Sequence, residues 1–441
     1  MPHANCRTVL ILAAAACLAA CGGRARLGVR EGSGPDPALP APSPSLVPVI
    51  DIAPAVGWPP GAAPRPADGL RVQRFAAGLE HPRWLYVLPN GDVLVAETNA
   101  PAGSGGFSGI RAWLMGKAME KAGAAVPSAD RIRLLRDADG DGQADQVHPF
   151  ITGLHSPFGM ALVGDWLYVA NADALLRYRY REGAMRIAGD GEAVVDLPGM
   201  PNHHWTKGLL ASADGRRLYV SVGSNSNAGE NGLAVERGRA AILEVDPETR
   251  SARVFASGLR NPVGMDWQPA SGALWTVVNE RDELGSDLVP DYLAEVEEGA
   301  FYGWPWSWYG DHVDARVEPP RPDMVARARV PDYALGPHVA PLGLAFYDAT
   351  LFPARYRGGA FVGLHGSWNR KPPSGYKVAF VPFRDGRPVG LPEDVLTGFL
   401  DDEGRARGRP VGVAIAADGA ILVADDVGNV VWRLAPEQAL R

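Results

Sequence analysis

Short runs of apolar, β-forming residues recur along this chain, each introduced by a tight polar turn. Asn90-Gly91 precedes Val93-Leu94-Val95-Ala96, Gly164-Asp165 precedes Leu167-Tyr168-Val169-Ala170, and Asp214-Gly215 precedes Leu218-Tyr219-Val220-Ser221. The same pattern returns at Leu274-Trp275-Thr276-Val277, Ala360-Phe361-Val362-Gly363 and Ile421-Leu422-Val423-Ala424. Turn residues flanking such runs are the signal of antiparallel hairpins. Several runs lead to a second one that ends apolar–Arg, as in Leu175-Leu176-Arg177 and Val431-Trp432-Arg433. Six copies spaced roughly 50 to 85 residues apart predict an all-β fold, a six-bladed β-propeller over residues 69–441. A β-sandwich is the structural alternative. The propeller is favoured because each repeat is too long for one hairpin, and because small residues ending the strands suit a crowded axis. One stretch, Ile110 to Ala125, has helical spacing (Trp113, Leu114, Ala118, Met119) and predicts a short helical insertion.

Composition agrees with this pattern. The chain has 441 residues, with 53 Gly and 39 Pro among 12 Trp and 12 Tyr, which points to many turns and strands rather than a helical bundle. A formal net charge of −7 argues against a nucleic-acid partner. The three cysteines, Cys6, Cys17 and Cys21, all lie at the start, so the rest of the chain has no disulfide, Cys-based zinc site or haem-attachment motif.

Residues 1–20 read as a signal segment. Arg7 precedes a 12-residue apolar run, Val9 to Ala20, too short for a membrane span of about 20 residues. Leu18-Ala19-Ala20-Cys21-Gly22 resembles the lipobox of bacterial lipoproteins, in which Cys21 carries the lipid; an ordinary secretory signal is the alternative. Either implies export, and the lipobox implies a periplasmic protein held to a membrane. Residues 21–68, rich in Pro, Ala and Gly, predict a semi-extended tether.

Four constellations carry candidate chemistry. In Asn202-His203-His204-Trp205-Thr206-Lys207-Gly208, at most one imidazole is expected to enter the propeller mouth, where it could act as a base; a core or surface histidine is the plainer explanation. Arg260-Asn261 places a guanidinium fork beside an amide, suited to a carboxylate or quinone oxygen, or to a structural ion pair. The loop Asn279 to Asp287, with Glu280, Arg281 and Asp282, offers hard oxygens for Ca²⁺ or forms a solvated acidic turn. Asp137, Asp139, Asp141 and Asp145 have the spacing of a calcium loop. His148 stands where an EF-hand needs Glu, leaving a structural Ca²⁺ hairpin or a polar turn. The aromatic run Phe301 to Tyr309 is expected to be a buried corner.

In this order, LLRDADGDGQAD, NHHWTKGL, GLRNPVGM, VVNERDELGSDLVPDYL, FYGWPWSWYG, HGSWNR and GRPVGVA resemble the soluble glucose/sorbosone dehydrogenase family, most closely its L-sorbosone dehydrogenase branch. The resemblance runs from Leu70 to Arg433. It implies a six-bladed propeller carrying pyrroloquinoline quinone (PQQ) and Ca²⁺, oxidising a sugar or sugar aldehyde and passing electrons to an external quinone or cytochrome. It implies His204 as general base, Arg260 and Asn261 beside the quinone, and the 279–287 loop as Ca²⁺ holder, largely through backbone carbonyls. It also implies Lys207, Arg370, Lys371 and Arg409 as a ring of cations for the cofactor's carboxylates. His203, Gly208 and Val411 depart from the glucose enzymes, which carry an acid and two arginines there. The rivals are a Ca²⁺-dependent lactonase and a non-catalytic propeller; a lactonase would bring carboxylates and asparagines to the axis without a cation ring.

Overall fold

The computed structural model describes residues 23–45, 49–104 and 116–439. Cys21, the signal segment and residues 110–115 of the expected helical insertion lie outside them; within the insertion, residues 116–121 are helical. No helix among the described residues is long and apolar enough to cross a membrane.

Six antiparallel sheets, five of four strands and one of five, are arranged in sequence around an axis. Blades 1 to 5 start with the strands Pro82–Val87, Met160–Val163, Leu209–Ala211, Asn261–Trp267 and Pro341–Phe346. Blade 6 holds Pro410–Ile415, Ile421–Asp425 and Val430–Pro436, and takes its outer strand, Leu70–Ala77, from the other end of the domain. That pairing, Leu70 to Pro436 through Ala77 to Val430, closes the ring. Every repeated run read from the sequence is the second strand of a blade, fully buried except at an end residue or two because sheets cover both its faces.

The innermost strands share a glycine whose missing side chain decides the packing. A Cβ on Gly208 would lie 2.2 Å from the Val263 carbonyl of the next blade, and one on Gly264 2.6 Å from that of Leu342. Gly343 meets Val411 O at 2.3 Å, Gly412 meets Arg83 O at 2.8 Å, and Gly159 meets Lys207 O at 2.7 Å. Backbone therefore packs on backbone at five of the six junctions. Gly208 cannot be the arginine of the glucose enzymes, because there is no room for any side chain. The crowding expected at the axis is thus strongest on the first strand of each blade. The aromatic corner forms as expected, with Phe301, Tyr302, Trp304, Trp308 and Tyr309 all buried.

The segment read as a tether instead lies bonded along the propeller. Ala25 N donates to Lys371 O (2.7 Å), Gly34 bridges Ala334, Val56 N donates to Ala406 O (2.8 Å), and Arg65–Pro66 adds a fifth strand to blade 5. Trp58 Nε1 donates to Asp425 (2.7 Å), whose carboxylate also takes Trp432 Nε1 and the backbone N–H groups of Arg409 and Gly428. Burial pushes the Asp425 carboxyl up to about 6. Pro and Gly keep this segment out of regular structure, but its backbone groups find partners on the loops it crosses.

Candidate functional site

Loops at one end of the axis enclose a cavity of about 290 Å³. His203 and His204 both line it, from the bend ahead of the blade 3 inner strand. The expectation that only one could enter assumed an extended strand; the chain bends here, and the two rings meet edge to face at 4.5 Å. His204 Nδ1 lies 2.8 Å from Ser224 O, an acceptor, so that nitrogen carries the proton and Nε2 holds the lone pair. Burial, together with His203 and Arg260, holds its pKa well below the ordinary 6.5. His204 is thus neutral and can accept a proton. Gly223 forms the cradle: a Cβ there would lie 2.3 Å from Asn261 Oδ1 and 2.5 Å from His204 Cβ. Gly223→Ala is expected to push these side chains aside and cut turnover by about 10²-fold with the fold intact; unchanged kinetics would count against the cradle.

Arg260 is 3% exposed and spans the floor. It donates to Glu280 O (2.8 Å), Asn279 O (3.3 Å), Asn227 Oδ1 (3.0 Å) and the Asp282 carboxylate (3.0 Å). Asp282 also accepts from Asn369 Nδ2 (2.8 Å) and pairs with His338 (3.4 Å). Burial pushes the Asp282 carboxyl up, but Arg260 and His338 outweigh it and the net shift is down. Across the cavity Arg83 donates to Asp426 (2.6 Å), which also accepts from His365 Nε2 (2.9 Å). Trp368 adds an aromatic wall.

A propeller with this site matches the TrAA12-like family model over residues 131–292 and 323–437, more than half of its length. The chain belongs to the TrAA12-like family. It is 25% identical over 438 residues to the pyrroloquinoline quinone-dependent pyranose dehydrogenase of Coprinopsis cinerea, covering 83% of this chain and 54% of that one. An uncharacterized protein of Borreliella burgdorferi is 31% identical over 243 residues, 53% of this chain and 61% of that protein. The chain thus spans between about half and three fifths of these relatives. The fold superposes on the Trichoderma reesei carbohydrate-active enzyme of family AA12 with TM-score 0.68 at 21% identity, covering 88% of this chain and 99% of that one. It superposes on the PQQ domain of the Coprinopsis enzyme in its holo form with TM-score 0.67 at 21% identity, covering 87% and 100%.

In this TrAA12-like propeller the expected residues divide. His204, Arg260, Asn261, Glu280 and Asp282 come together on the cavity. The cation ring does not. Lys207 is buried beneath the wall, donating to Trp205 O (3.0 Å). Arg370 donates to Leu27 O (2.9 Å) and Pro372 O (2.8 Å), and Arg409 to Ala53 O (3.1 Å) with its guanidinium over Tyr376. The amino-terminal segment supplies carbonyls that occupy these arginines, and Lys371 is exposed outside the cavity. Arg281 turns away to Asp314, and Asp287 accepts the N–H groups of Arg26 (2.8 Å) and Leu27 (3.2 Å). Far from the cavity, Asp137, Asp139 and Asp145 bring carboxylate oxygens within 4.8 Å of one another, while Asp141 is turned to Gln143.

The residues present fit a flat cofactor that both donates and accepts hydrogen bonds, but not through a ring of cations: Glu230, Glu280, Asp282, Glu283 and Asp291 line the cavity beside Arg83 and Arg260, an acid-rich lining of the kind expected of the rival lactonase. Asn261 Oδ1 and Asn369 Oδ1 are buried without a hydrogen-bond partner, and Arg83 and Arg260 stand on opposite walls. They do not fit Ca²⁺ in the 279–287 loop as arranged. The carbonyls of Asn279 and Glu280 serve Arg260, that of Asp282 serves Arg281 and Asn227, and that of Gly285 serves His338. The Asp282 carboxylate is shared among three side chains.

Sequence reading missed Arg83, His338, His365, Trp368 and Asn369. The last three belong to HGSWNR, a motif valued for its cation; the signal was there in its imidazole, indole and amide.

Proposed function

We propose that this protein oxidises a sugar or sugar aldehyde with PQQ as hydride acceptor, and passes the electrons to an external quinone or cytochrome. The observation that carries the reading is His204: a neutral imidazole, its tautomer fixed from behind, opening onto a cavity walled by Arg260 and Asn261. PQQ, when bound, supplies the carbonyl carbon that receives hydride. Arg83, Arg260, Asn261 and Asn369 would hold it, and Trp368 would cover a ring face. His204 Nε2 takes the proton of the anomeric or hydrated aldehyde hydroxyl, which raises the hydride-donating power of that carbon. The motif likeness to sorbosone dehydrogenases supports sugar aldehydes among the substrates.

The test is to add PQQ to the purified protein, with Ca²⁺ or with chelator, and assay dye reduction across aldoses and sorbosone. Turnover in both arms is expected from a loop whose oxygens already serve protein cations. Absence of both cofactor absorbance and turnover would sink the proposal, as would lactone hydrolysis without dye reduction.

We also propose that Cys21 carries a lipid and that the protein works in the periplasm. Cys21→Ser is expected to move it from the membrane to the soluble fraction on cell fractionation; an unchanged distribution would refute the anchor.

A further inference from the structure

Two histidines face the cavity with one ring nitrogen secured from behind and the other turned to no described partner. His204 is backed by a neutral carbonyl, Ser224 O. His365 is backed by a carboxylate: its Nε2 lies 2.9 Å from Asp426 Oδ2 and donates to it. His365 Nδ1 then carries the lone pair and has no hydrogen-bond partner among the described residues. The pair comes from the loops after the second strands of blades 5 and 6, whereas His204 precedes blade 3, so the two bases stand across the ring from each other. Asp426 is 2% exposed and is held by Arg83 (2.6 Å), with His81 Nε2 3.6 Å away making no hydrogen bond. Its Oδ1 is buried without a partner, so the carboxylate keeps spare accepting capacity. This is the construction of a positioned acid–base imidazole, and nothing in the reading above uses it.

We propose that His365, oriented by Asp426, is the second proton-transfer group of this site, receiving at Nδ1 a proton that His204 cannot hold. The proposal rests on the oxidation reading. Oxidising a carbinol carbon removes two hydrogens. The hydroxyl hydrogen leaves as a proton, to His204. The C–H hydrogen leaves with both electrons of its bond; once an external quinone or cytochrome has taken those two electrons, that hydrogen remains as a proton. Two protons and two electrons therefore leave per substrate, and His204 is already occupied by the first proton. The groups around His365 are Asp426, Arg83, His81 and Arg409. Burial holds the pKa of His365 below its ordinary value, with Asp426 opposing and Arg409 and Arg83 reinforcing the shift. The imidazole is thus neutral at pH 7, ready to accept.

The experiment separates the half-reactions of the PQQ-loaded protein by stopped flow. Sugar-driven change in cofactor absorbance reads the first; electron transfer to a dye, with proton release to a pH indicator, reads the second. His365→Gln is expected to leave the first within about twofold and to slow the second at least about tenfold, with partial rescue by added imidazole. Asp426→Asn should shift the second half-reaction in the same direction. A readout independent of activity is the ¹⁵N-histidine NMR spectrum of the unloaded protein, which should show His365 as the Nε2–H tautomer, altered in Asp426→Asn. No PQQ uptake by the wild-type protein overturns the oxidation reading and with it the relay. Uptake with an unaltered second half-reaction in His365→Gln, or a His365 protonated on Nδ1, overturns the relay alone.

Discussion

His204→Ala is expected to lower kcat by about 10²- to 10⁴-fold, the range for loss of a positioned general base, while PQQ uptake and the unfolding transition stay close to wild type. The reason is local. The His204 ring is held at Nδ1 alone, by Ser224 O (2.8 Å) and Ser224 Oγ (3.1 Å), and the residue lines the cavity. The pH profile adds an independent check. Burial holds the imidazole well below 6.5, so the base stays unprotonated as pH falls through that value. The wild-type kcat/KM should remain level across pH 6.5 and decline only in more acidic solution. A decline centred at an ordinary histidine pKa, or full activity in His204→Ala, would assign the proton to another group.

The second large effect is Arg260→Ala. Its guanidinium satisfies two loop carbonyls, Asn227 and the Asp282 carboxylate within a buried floor. Removing one partner of a buried ion pair leaves a desolvated charge, at a cost of about 3–5 kcal/mol. Denaturant titration should show that loss, and PQQ titration should show weakened uptake. Arg260→Lys keeps the charge but not the fork, and should recover part of the stability while recovering little of the cofactor affinity. Stability and PQQ uptake both equal to wild type in Arg260→Ala would remove this residue from the site.

Much of the fold was legible because each blade announces its second strand with a turn and a buried apolar run, as at Gly164-Asp165 and Leu167 to Ala170. The glycine seam is present in the sequence too, in the apolar–Gly–apolar units around Gly264, Gly343 and Gly412 and in Lys207-Gly208-Leu209, but its meaning appears only when the neighbouring carbonyl is in place. The site divides along a physical line. Residues singled out by their own chemistry, His204 and the Arg260-Asn261 pair, do meet on one cavity. Arg370 and Arg409 were assigned through the family resemblance, yet a guanidinium binds whichever oxygens reach it first, here the carbonyls of Leu27 and Ala53. Those contacts span several hundred residues of sequence, which local patterns do not encode. Arg83 and Asp426 were passed over for the same reason, since their significance lies in meeting each other across the closure of the ring.

The bonded amino-terminal segment bears on orientation. Gly23 O accepts a hydrogen bond from Ser286 Oγ, on the loop that also carries cavity residues Asp282 and Glu283. Only Gly22 separates Gly23 from Cys21, and two Cα–Cα steps reach at most about 8 Å. If Cys21 bears the lipid, the propeller cannot swing freely on a long leash. In that case the reach of the link would keep the cavity-bearing end close to the bilayer, and the side from which substrate and electron acceptor enter would follow from the anchor.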